Sequence, residues 1–167
     1  LFVANVLTIR RLADLQSEGV KLLGLPGQEP GARCTEAPES TEEERKILDD
    51  PSNGIALLCL SGPLIFGAAK AITRQQHEIA GAKSLVVDLT EVPHLGVTTS
   101  LAIEGAVRDA VAHGCRVYFA GLQPQPRKRL LNLRLERVVP TDNWIDTRPD
   151  ALKRAVAERA GQVTASA

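Results

Sequence analysis

The chain has 167 residues, enough for one hydrophobic core with appendages and too few for two. Twenty Lys and Arg balance twenty Asp and Glu, so no net field recruits a polyanion, and no nucleic-acid partner is expected. Apolar residues make up 44% but aromatics only 3%, which leaves Leu, Ile, Val and Ala to build the core.

In chain order, Leu1–Leu7 is apolar and is followed by Arg10 and Arg11. Crossing a bilayer takes about 20 residues, so this run alone cannot do so. It reads as the last turns of a span, with the two arginines on the cytoplasmic side. A short amphipathic helix packed on the domain through Leu7, Leu12 and Leu15 is the other reading. Gly24–Ser40 holds Gly24, Pro26, Gly27, Pro30 and Gly31 with almost no hydrophobic periodicity, as a linker does. Ser40 and Thr41 before Glu43 and Glu44 make a capping box for a short helix ending near Leu48.

Asn53 and Gly54 then turn the chain into an alternating pattern. Strands are expected at Ile55–Leu60, Ser84–Leu89 and Arg116–Ala120. Helices are expected at Phe66–Ala80, closed by Gly81, and at Thr98–His113, closed by Gly114. Pro126 is read as the first-turn proline of a further helix and Pro149 as that of the last, Arg148–Ala160. Alternating strands and helices predict an α/β fold, a central mixed sheet flanked by helices. The expected division is a stub at 1–12, a linker with a short helix at 13–50, the domain at 51–161 and a flexible tail at 162–167.

Cys34, Cys59 and Cys115 form no CxxC pair and meet no His at metal-ligand spacing. Cys59 and Cys115 lie in apolar runs where a free thiol serves as a small buried hydrophobe, which fits a reducing compartment. A Gly-x-Ser-x-Gly elbow, a phosphate loop and a dinucleotide fingerprint are all missing, so neither an enzyme nor a bound cofactor is expected. Asp88 and Glu91 read as turn acids rather than as a catalytic pair.

Several stretches carry a family resemblance. Ser61 to Ala69 looks like a first strand ending in a small-residue turn before a helix. Val86-Val87-Asp88-Leu89-Thr90-Glu91-Val92-Pro93 looks like the motif strand-Asp-(Ser/Thr)-x-Val-Pro, and His94 to Ser100 like the loop into the next helix. In this order and spacing, over about residues 40–160, they resemble the STAS domain on the cytoplasmic side of SulP-type anion transporters. The wording is most similar to the cyanobacterial sodium-dependent bicarbonate transporters. The resemblance implies a homodimeric membrane protein whose own transmembrane domain binds the anion, with this chain in dimerisation and regulation. Sulfate transport and a soluble interaction module of the anti-sigma-factor antagonist type are the alternatives. Antagonists carry Asp-Ser after the proline loop, and that serine is phosphorylated; here Gly96 and Val97 stand there, so that switch cannot operate at that position, while Thr98, one residue along, is a further candidate to accept phosphate.

Four sets of candidate residues follow. Thr98, Thr99 and Ser100 begin a helix, where unpaired N–H groups and the helix dipole favour an anion such as bicarbonate, sulfate or phosphate. The plainer reading has Thr98 capping its own helix. His94, in the loop before it, is a candidate pH reporter. Arg10 and Arg11 are candidate membrane contacts. Arg127, Lys128 and Arg129 are candidates for contact with anionic headgroups or the transporter body, against the reading of a scattered, solvated basic surface.

Overall fold

The computed structural model describes residues 20–23, 41–62, 64 and 68–165. The expected stub with Arg10 and Arg11, the linker at Gly24–Ser40, and Cys34 lie outside the described residues.

Among the described residues five strands, β1 (Val20–Leu23), β2 (Ile55–Ser61), β3 (Ser84–Glu91), β4 (Arg116–Ala120) and β5 (Trp144–Ile145), lie in the sheet in their order along the chain. β1 runs antiparallel to β2, and β2 through β5 are parallel. The sheet is therefore mixed, and the α/β expectation holds. The helices are α1 (Glu42–Asp49), α2 (Ala68–Ala80), α3 (Val97–Ala112), α4 (Pro124–Asn132) and α5 (Arg148–Ala165). α5 runs past the Ala160 at which the sequence pattern ends it, so the expected tail from 162 onward is helical as far as Ala165.

Each parallel strand is followed by its immediate neighbour in the same direction. Right-handed crossovers taken in one direction put every connecting helix on one face. α2, α3 and α4 accordingly share a face, and the other face is left to α1 and α5. Side chains alternate between these layers, as the pleat requires. Ala56, Leu58, Leu60, Leu85, Val87, Leu89, Val117 and Phe119 enter the first core, while Ile55, Leu57, Cys59, Val86, Tyr118 and Ala120 enter the second. Strands covered on both faces read as unbroken apolar runs, which is why β2, β3 and β4 are legible in the sequence.

At Trp144 the short β5 closes the first core. Its indole meets Phe119 edge-on with centroids 5.4 Å apart, and its Nε1–H donates to the Val139 carbonyl at 2.9 Å. Cys115 is a free, buried thiol, as expected; Cys59 is buried too, but it is disulfide-bonded, contrary to that reading. The α4 helix starts two residues earlier than expected, with Gln123 as its cap and Pro124, not Pro126, as its first residue.

Candidate functional site

The carboxyl ends of β2, β3 and β4 carry the loops that start α2, α3 and α4, and the candidate residues around His94 to Ser100 lie there. Sequential strand order leaves no point where neighbouring crossovers diverge to opposite faces. The crevice that holds ligands in doubly wound sheets arises at such a point. The described residues of these loops instead pack on one another.

Leu95 is the centre of that packing. It is fully buried and forms a parallel bridge with Leu64. The Leu64 N–H donates to His94 O at 3.2 Å, and the Gly96 N–H donates to Leu64 O at 2.9 Å. From the other side, the Gln125 side chain completes a pseudo-strand. Its Oε1 accepts from the Leu95 N–H at 2.9 Å, and its Nε2 donates to the Leu95 carbonyl at 3.3 Å. Gln123 Nε2 donates to Thr90 O at 2.9 Å. Gly121 allows the β4–α4 turn to come this close: its φ is +63°, and a Cβ there would stand 2.7 Å from Thr90 Cα. Leu64, Gly121, Gln123 and Gln125 thus aim the start of α3, and no motif marks them for that role. The Gln-Pro-Gln-Pro run is the available signal.

The hydroxyls expected to converge at α3 diverge. Gly96 is the cap residue, and among the described residues no side chain caps the helix. Thr98 already lies inside the first turn, too late to bend back as a cap, and is exposed. The expected Thr98 cap is therefore corrected. Thr99 is fully buried, and among the described residues its Oγ1 has no hydrogen-bond partner. Ser100 Oγ donates to Val97 O at 2.7 Å. Of the three hydroxyl residues Thr98 alone is exposed, beside first-turn N–H groups that have no partner among the described residues. Val97, in the place of the antagonists' phosphorylated serine, is 57% exposed.

His94 is exposed, with only its backbone carbonyl engaged in a hydrogen bond among the described residues. Arg127 lies over the Trp144 ring, 5.4 Å from its centroid. Lys128 is exposed and Arg129 half-buried. These three lie on α4.

A buried ion network on the opposite face joins residues that no single sequence motif brings together. Arg148 donates to both Glu44 carboxylate oxygens at 3.2 Å and to Asp88 Oδ2 at 3.3 Å. Val87 points into the first core, so Asp88, next along β3, points to the other face, where it is 4% exposed. Asp88 is thus more than the turn acid expected. Its Oδ1 does hold the local turn, accepting from the Thr90 N–H at 3.0 Å and from the Thr90 hydroxyl at 2.6 Å, while Oδ2 serves Arg148. Glu44 also closes the capping box of α1, accepting from the Thr41 N–H at 3.1 Å. Burial works against the Arg148 charge, but the Glu44 and then the Asp88 contacts outweigh it and hold its pKa above the usual arginine value. Nearby, Tyr118 OH and Arg116 both donate to Glu158 Oε2 at 2.8 Å, fixing α5 to β4. Asp88, an acid set between Val87 and Leu89, and the capping-box Glu44 are the sequence signals at these positions, and neither points to Arg148.

Among the described residues, no helix is long and apolar enough to cross a membrane, and no group of three His, Cys, Asp or Glu could hold a metal ion.

The STAS domain family matches residues 48–150. The bicarbonate transporter BicA of Synechocystis is 42% identical over 156 residues, which is 93% of this chain and 26% of that protein. The chain thus spans about a quarter of the length of the curated relatives it matches. Two solved structures share the fold. A sulfate transporter family protein from Wolinella succinogenes has TM-score 0.57 and 18% identity, covering 63% of this chain and 88% of that one. The SulP transporter STAS domain from Vibrio cholerae has TM-score 0.53 and 22% identity, covering 60% and 80%.

Proposed function

The chain belongs to the STAS domain family, and we propose that it is the cytoplasmic domain of a SulP-type, sodium-coupled anion transporter whose substrate is bicarbonate. One observation carries this reading. A 156-residue match in a 167-residue chain takes in all of residues 12–156, so the likeness to the bicarbonate transporter runs well upstream of residue 48, where the family match begins. Residues upstream of the family match thus share in the likeness. The Arg-flanked apolar start at Leu1–Leu7 agrees with a membrane helix ending there.

In this reading the anion is bound by the transmembrane domain, and this chain holds two protomers together and tunes transport. The antagonist-type alternative is disfavoured by Val97, which offers no hydroxyl to a kinase. The α3 start, with Thr98 and the unpaired N–H groups, is the place we assign to a regulatory anion, and His94 beside it is the group that would make such a response pH-dependent.

The test is uptake of labelled bicarbonate and of sulfate into vesicles carrying the full-length parent protein, with and without residues 12–167, at fixed sodium. Bicarbonate uptake that collapses without the domain is the expected result. Uptake of sulfate alone would reassign the substrate, and unchanged uptake would remove the domain from the transport cycle.

A further inference from the structure

We propose that α4 and the 3-10 turn after it (Leu135–Arg137) form a docking surface for the anionic headgroups of a lipid bilayer. Charge is segregated here in a chain that is neutral as a whole. Between Pro124 and Val139 stand Arg127, Lys128, Arg129, Arg134 and Arg137, against the single acid Glu136. Among the described residues, none of these five cations is in an ion pair, with Glu136 or with any other acid. Arg127, Lys128, Arg134 and Arg137 are all exposed.

The face also has an apolar centre. Leu131 is 40% exposed, and it stands three and four residues after Lys128 and Arg127, on the same side of the helix. Cations flanking one apolar side chain suit the bilayer interface, where the charges meet headgroups and the leucine enters the acyl boundary. A convex helix face of this kind matches a laterally mobile array of headgroups better than the fixed spacing of an acidic peptide.

Strand register places the surface at the right end of the domain. Val20, the first residue of β1, pairs with Leu60 near the carboxyl end of β2, so the chain arrives at that end of the sheet. α4 begins from the same end, after β4, with Arg127 and Lys128 nearest to it. The stretch from Arg11 to Val20 is a tether of at most about 30 Å. This part of the argument rests on the transporter reading, in which the membrane lies just before Arg10.

The test is sedimentation of the 167-residue chain with vesicles of phosphatidylcholine alone and with about one-third phosphatidylglycerol. Binding to the anionic vesicles that falls as salt rises is expected. A cation near such a surface is worth about fivefold in affinity, so Lys128→Gln with Arg137→Gln should weaken binding about 25-fold. Both side chains are exposed and unpaired, so the melting temperature should stay unchanged, and Lys128→Arg should bind as the parent does. Equal binding to neutral vesicles, or binding indifferent to the double substitution, would assign the contact to Leu1–Arg11 and overturn the proposal. Tighter binding to a glutamate-rich peptide than to anionic vesicles would overturn it in favour of an acidic protein. Uptake by the parent protein tests the transporter reading separately, so a chain that ignores anionic vesicles would overturn the docking surface and leave that reading standing.

Discussion

Thr99 shows how one atom tests the candidate anion site. Its hydroxyl is buried at the start of α3 with no partner among the described residues, an arrangement that costs about 1–3 kcal/mol when nothing compensates. Valine has nearly the same shape without the hydroxyl. Thr99→Val should therefore leave the melting temperature unchanged or raise it; a fall would mean that water or an anion satisfies the group. Tyr118 makes a second residue-scale prediction. Burial, and then the hydrogen bond and charge of Glu158, push its phenol up to about 12. The folded state keeps the proton after the unfolded chain has released it, so this contribution is complete below about pH 10 and lost as pH rises to about 12. Stability measured by denaturant should fall more steeply over that interval in the parent than in Tyr118→Phe. Cys115, whose thiol burial also pushes up to about 12, adds the same slope to both.

Three elements meet at Arg148. The start of α5, the first turn of α1 and the middle of β3 are joined there by one guanidinium with a side chain 10% exposed. Removing one partner of a buried network leaves the others charged and unpaired. Arg148→Met strands Glu44 and Asp88 together, and should lower stability by about 3–5 kcal/mol, read from denaturant midpoints. A loss below about 1 kcal/mol would mean that water already solvates the network. On the other face the elements are tied by backbone and amide bonds instead: Gln125 holds Leu95, and Gln123 holds the end of β3.

Across the whole molecule, α1 belongs with the core it covers. Ile47 and Leu48 pack against the cluster of Ile55, Leu57 and Val86, and Glu44 is buried there. A chain that starts at Thr41 should accordingly be more stable than one that starts at Pro51, by about 3 kcal/mol or more, because the shorter chain loses Glu44 from Arg148. Equal melting temperatures would make α1 a mere attachment.

The sequence alone determined the central strands, the helices between them and the family, because those depend on short-range signals. Apolar runs mark β2, β3 and β4, the Thr41 and Glu44 box marks α1, and Gly114, with φ +83°, marks the end of α3. The ends of the sheet carry no such signal. Val20–Leu23 is four residues without alternation, and β5 is two; each is a strand only because β2 or β4 offers it an edge. The α3 start misleads for a related reason: three consecutive hydroxyls suggest one site, but the helix begins at Val97 and turns them about 100° apart. Arg148 finds Asp88 across 60 residues and Glu44 across 104. No local pattern encodes such a meeting; it exists only once α1 and α5 are forced onto the face that the crossover helices leave free.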